Sequence, residues 1–92
     1  MKVRNMTGRT GREVANQFEI RDDNGNVFFQ SYDSIIVKVE RVPDRLPKVY
    51  LDSTFWDYSV TTGKYRNQFL GETKAETEKK IKSGEYILTD LN

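Results

Sequence analysis

The chain has no cysteine and no histidine among its 92 residues. That removes disulfides, thiolate nucleophiles, imidazole acid–base chemistry and ordinary zinc sites together. It is also compatible with a reducing compartment, and cytoplasmic placement is expected. There are only two prolines, Pro43 and Pro47, four residues apart. No apolar run approaches the 18 residues or so of a membrane span, so no membrane partner is expected. The N-terminal MKVRNMTGRTGR has bases but no apolar stretch behind them, unlike a secretory signal. Hydrophobic residues are scarce at 36%. A single domain of this length buries roughly 60–65% of its unfolded surface, so the core must be thin.

Aromatics offset that scarcity, at 12% of the chain. Each can bury about 150–250 Å². Charge is unevenly spread behind a net +1. Residues 1–12 carry Lys2, Arg4, Arg9 and Arg12 and no acid, whereas residues 13–58 hold nine acids and five bases. Lys64 and Arg66 make residues 59–71 basic again. Two basic segments flanking an acidic body can form one patch if they meet in space.

Residues 1–12, broken by Gly8 and Gly11, read as a flexible basic arm, and residues 13–92 as one domain. Val14, Phe18 and Ile20 share a strand face opposite Gln17, Glu19 and Arg21. Asp22-Asp23-Asn24-Gly25-Asn26 is a hairpin signal, returning through Val27–Tyr32. Ser34–Val42 alternates as a further strand, with a bend or bulge at Asp33-Ser34. Pro43–Pro47 must be a turn. Lys48–Leu51 is a short strand, and Ser53–Tyr58 reads either as strand or as a helical turn. Ser59, Thr61 and Thr62 can each cap a helix that Gly71 stops. Thr73 and Glu76 form a capping box for a second, mostly solvated helix ending at Gly84, with Ala75 and Ile81 as its apolar residues and Glu76–Lys80 and Glu78–Lys82 as spaced ion pairs. Glu85–Leu91 is a last strand. The expected class is α+β: a small antiparallel sheet of four to five strands with two short helices near the C-terminus.

Several constellations fail as catalytic or cofactor sites, and none is expected. Thr61-Thr62-Gly63-Lys64 superficially suggests a phosphate loop. However, Tyr58 stands where its first glycine belongs and Tyr65 where its Ser or Thr belongs. The 22–26 acids lack the glutamate of a calcium loop, since Ser31 stands six residues after Gly25. Asp52 and Asp57, flanking Phe55-Trp56, are the best carboxylate pair, but nothing isolates them from seven other acids. Binding chemistry remains. Arg9, Arg12, Lys64 and Arg66 suit phosphates, and Trp56, Tyr58 and Tyr65 can stack on bases or anchor a protein partner. Trp56 suits the core equally well.

ANQF (15–18), FFQSYDSII (28–36), WDYSVTTGKYRNQFLGET (56–73) and KKIKSGEYILTDLN (79–92) carry a resemblance. The chain resembles a family of small proteins of unknown function encoded mainly by bacteriophages and prophages. The motif W-x-Y-S-x-T-T-x-K-Y-R-x-x-F-L carries it most clearly, at Trp56, Tyr58, Ser59, Thr61, Thr62, Lys64, Tyr65, Arg66, Phe69 and Leu70. The resemblance implies a phage-encoded protein acting in the cytoplasm of a bacterial host, and it carries no catalytic residue. The expectation is a non-enzymatic module that binds nucleic acid through a basic and aromatic surface. The alternative is a protein-binding inhibitor or adaptor directed at host or anti-phage machinery. A homodimer built by edge-strand pairing is compatible with so small a core.

Overall fold

The computed structural model describes residues 1–92. Six strands form one sheet in chain order: β1 (Lys2–Thr7), β2 (Glu13–Arg21), β3 (Val27–Ser31), β4 (Ser34–Glu40), β5 (Lys48–Asp52) and β6 (Tyr86–Thr89). Two helices, α1 (Val60–Leu70) and α2 (Lys74–Ser83), link the last two strands. The first four pairings are antiparallel, and β6 joins β5 in parallel after the helical crossover. The α+β class stands, but the sheet has one strand more than expected. The extra strand is β1, drawn from residues read as a flexible arm. The loop after it is also ordered: the Gly8 amide donates to the Arg12 carbonyl at 2.8 Å and the Gly11 amide to the Gly8 carbonyl at 3.0 Å. No helix is long and apolar enough to cross a membrane.

The turns follow the local chemistry. Asp22 accepts from the Asn24 and Asn26 amides, both at 2.9 Å, and so closes the β2–β3 hairpin. Between β3 and β4, Ser31 pairs with Ser34 and leaves a two-residue turn of Tyr32 and Asp33. The Asp33-Ser34 bend is thus a full reversal of the chain. Tyr32 sits at φ 55°, a left-handed conformation in which a bulky residue is strained.

Side-chain parity in β2 is set by a bulge. Asn16, at φ 65°, adopts the left-handed region that Asn tolerates, and the β1–β2 register slips between Asn5 and Thr7. Val14 therefore packs toward the helices, whereas Phe18 and Ile20 turn to the opposite face. Gln17, expected outside, is fully buried beneath the helices, where neither side-chain amide atom has a partner. This corrects the face assignment made from alternation alone, because one residue in αL shifts every side chain beyond it.

The core lies between sheet and helices, around Met6, Phe29, Ile36, Val37, Leu51, Tyr65 and Tyr86. Phe29 stacks on Phe69 of α1 with centroids 5.7 Å apart. Ile36 and Val37 are consecutive yet both buried, because the β3–β4 register shifts there. Ser59 caps α1, accepting from the Thr62 amide at 3.1 Å, and Gly71 ends the helix at φ 71°. Thr73 and Glu76 make the capping box of α2. In α2 the residue buried is Thr77, and Ala75 is exposed. Lys80 pairs with Glu72 at 3.0 Å rather than with Glu76, whose carboxylate is engaged at the Thr73 cap.

Candidate binding surface

Residues 53–59 connect β5 to α1 as a series of turns, and their shape is held from two sides. Asp52, at the end of β5, receives the Thr54 amide at 3.1 Å and the Phe55 amide at 2.8 Å on one carboxylate oxygen. The other oxygen receives the Leu91 amide at 2.8 Å and the Asn92 side chain at 3.1 Å. Burial alone would raise this carboxyl, but the Leu91, Phe55, Asn92 and Thr54 donors outweigh it and hold it below its ordinary value.

From the helix side, Arg66 reaches back over the same turn. Its guanidinium donates to the Trp56 carbonyl at 2.6 Å, to Asp57 at 3.3 Å and to Asn67 at 3.1 Å. It lies 5.1 Å from the centre of the Trp56 ring, within cation–π range. Only 1% of Arg66 is exposed. Asp57 is further paired with Lys74 at 2.7 Å. The Lys74 contact, and after it Arg66, holds the Asp57 carboxyl below its ordinary value against the cost of burial. Asp52 and Asp57 are therefore both occupied in building the loop, which accounts for them without acid–base work.

The seven residues picked out from the sequence separate into two groups. Tyr65 is buried in the core and Arg66 beneath Trp56, so neither can touch a partner as they stand. Trp56 is half-buried and packs against the core. These three serve the fold, which corrects the placement of Tyr65 and Arg66 on the binding surface. The other four, Arg9, Arg12, Tyr58 and Lys64, are exposed. The Gln68 side chain of α1 donates to the Thr7 carbonyl at 2.9 Å, which moors the start of the 8–12 loop to the helix. Lys64 lies one turn before Gln68 on the same helix face. One hydrogen bond thus joins the two basic segments, and Arg66 takes no part in it.

Tyr58 stands apart. It is 65% exposed and meets Phe55 edge to face at 5.5 Å. A shallow cleft of about 470 Å³ opens there, lined by Tyr32, Asp33, Phe55, Tyr58, Ser59 and Thr61 among others. The strained Tyr32 lies across it from Tyr58. In sequence Tyr32 reads as the last residue of a strand, because the break in the chain is placed one residue later, at Asp33-Ser34. No group of three or more Asp and Glu side chains is arranged to hold a metal ion.

A buried network at the far end of α1 ties the helices to the sheet edge. Glu72 accepts from Thr77 at 2.6 Å, Lys80 at 3.0 Å and the Tyr86 hydroxyl at 2.5 Å. Burial opposes its ionisation, but these donors prevail and its carboxyl lies below the ordinary value. Burial and the Glu72 carboxylate push the Tyr86 phenol up to about 12.

A family model described as "Family of unknown function (DUF8033)" matches residues 1–85. The chain belongs to that family. No curated protein and no solved structure matches it.

Proposed function

We propose that this member of the family is a small phage-type, non-enzymatic protein that binds nucleic acid in the cytoplasm of a bacterial host. The observation that supports the reading is the Gln68–Thr7 hydrogen bond, which joins the loop carrying Arg9 and Arg12 to the helix that carries Lys64. Three exposed cations on an ordered loop and an adjoining helix neutralise phosphates and release counterions. Tyr58, presented on a loop that Asp52 and Arg66 hold rigid, supplies a ring for base stacking beyond the basic group. Arg66 and Tyr65 take no part in contact and act through the loop they support.

Fluorescence anisotropy with a labelled single-stranded oligonucleotide tests this. Three phosphate contacts predict that log K falls against log salt with a slope of roughly −2 for a single strand. Removing all three cations, as Arg9→Ala, Arg12→Ala and Lys64→Ala together, should weaken binding about 100-fold at about 1 kcal/mol each. Binding that ignores salt, or a folded triple variant that binds as the wild type does, would overturn the reading.

The Tyr32–Tyr58 cleft favours a second reading, a protein-binding inhibitor or adaptor directed at host or anti-phage machinery. Its aromatic and hydroxyl groups surround Asp33 with no cation among them, which suits a protein hot spot better than a phosphate backbone. A host partner retained after nuclease treatment and lost in Tyr58→Ala supports this reading over the first.

A further inference from the structure

The helices cover only one face of the sheet. On the other face one cross-strand row runs in register through all six strands: Val3, Ile20, Phe28, Lys38, Tyr50 and Ile87. Five of these six side chains are apolar or aromatic. None belongs to the core cluster or packs against it. Val3 is 56% exposed and Ile87 39%. The interrupting Lys38 extends along the row, its ammonium about 6 Å from both the Phe28 and Tyr50 rings, at 6.0 and 5.9 Å. An antiparallel sheet that faces water on one side ordinarily places polar residues there. A continuous apolar row marks a surface that something covers.

We propose that the open face is the interface of a homodimer, with two copies packed sheet against sheet. Charge argues for a second copy over a nucleic acid. Lys38 lies 3.6 Å from Glu40, and Glu40 faces Lys48 across the β4–β5 pair. The charges on this face are thus almost balanced, which gives phosphates little to bind and lets two identical faces approach without repulsion. Area agrees. Six strands about 4.8 Å apart and about six residues long at roughly 3.3 Å each make a face of roughly 29 × 20 Å in projection. With side-chain relief added to that projection, the face approaches the roughly 800 Å² that each partner buries in a stable interface of standard size. A two-fold axis in the plane of the contact uses the same patch on both copies, a self-complementary contact.

The two sheet edges are the poorer surfaces for pairing, and at one of them β6 is only four residues long. The outer strand β1 carries exposed Lys2 and Arg4, charges that oppose the addition of another strand. Face-to-face packing leaves the helices outermost, so Arg9, Arg12 and Lys64 of each copy stay free. The dimer does not depend on the nucleic-acid reading.

Sedimentation equilibrium of the full chain at about 100 µM, above the range of dissociation constants usual for such interfaces, should give twice the 10.8 kDa chain mass. A monomer at that concentration overturns the proposal. Ile20→Lys with Phe28→Lys buries cations in the contact and should raise the dissociation constant at least about 100-fold, with the far-ultraviolet dichroism unchanged. A folded double variant that remains dimeric places the interface elsewhere and also overturns it. Should the double variant not fold, nuclear Overhauser contacts in a mixed-isotope sample of the wild type decide the matter. Intermolecular contacts among Ile20, Phe28 and Tyr50 are expected, and their absence refutes the arrangement.

Discussion

On the covered face of the sheet Phe29, Val37 and Leu51 are shut off from solvent, while one residue away along the same strands Phe28, Lys38 and Tyr50 stand on the open face. Composition barely distinguishes the two sets. The covered face also takes in two polar residues: Gln17, which alternation alone would place outside, and Ser31, which follows Val27 and Phe29 in strict alternation. What separates the faces is α1 and α2, and which residues they cover depends on two register shifts, at Asn16 in β2 and at Ile36 in β4. Apolar character states that a residue wants cover. The backbone decides which cover it receives.

The sharpest test compares Leu51→Ala with Tyr50→Ala in urea denaturation. Truncating the fully enclosed Leu51 should cost about 3–5 kcal/mol through lost burial and a residual cavity. Tyr50, only partly buried on the open face, should cost roughly 1 kcal/mol or less when measured where the chain is monomeric. Equal losses would mean that the open face is packed as tightly as the core.

Arg66 and Lys64 extend the contrast to the helix. Arg66→Ala strips the Trp56 carbonyl and Asp57 of a buried donor and should cost about 2–4 kcal/mol. Lys64→Ala should leave the thermal midpoint within error and appear only in oligonucleotide affinity, by roughly fivefold at about 1 kcal/mol. A destabilised Lys64→Ala, or an Arg66→Ala that melts as the wild type does, would reverse the roles assigned to them.

The smallest effect is expected at Gln17. Its amide is buried with no partner, so Gln17→Met should raise stability by about 1 kcal/mol, a shift readable in the urea midpoint. A clear loss instead would show that the amide is satisfied in solution.

Local chemistry was legible wherever a residue acts on its own neighbours. Asn24-Gly25 marked the first hairpin, Gly71 and Gly84 marked the helix ends, and Thr73 with Glu76 marked the α2 cap. Features that rest on distant partners were not legible. β1 looks like an arm because KVRNMT has little apolar content, and it becomes a strand only beside β2. The Tyr32-Asp33 turn lacks the glycine or asparagine that usually marks one. Arg66 reads as a surface cation because most arginines are, and nothing within the helix indicates that the 56–57 turn folds onto it. Of the basic and aromatic residues read as one surface, Trp56, Tyr65 and Arg66 were drawn toward the core, and Arg9, Arg12, Tyr58 and Lys64 stayed exposed.

Sheet order matches chain order throughout, and this shapes how the molecule assembles. Strands β1 to β5 are joined to their neighbours by turns of two to seven residues, so each pairing closes a short loop at low entropic cost. Only β6 must return across more than thirty residues to find β5. As the chain emerges from the ribosome, a five-stranded meander can form before its own lid exists. Until α1 and α2 are complete, both faces and the β5 edge stand bare together. That interval, rather than the finished protein, is when the chain is most prone to aggregate.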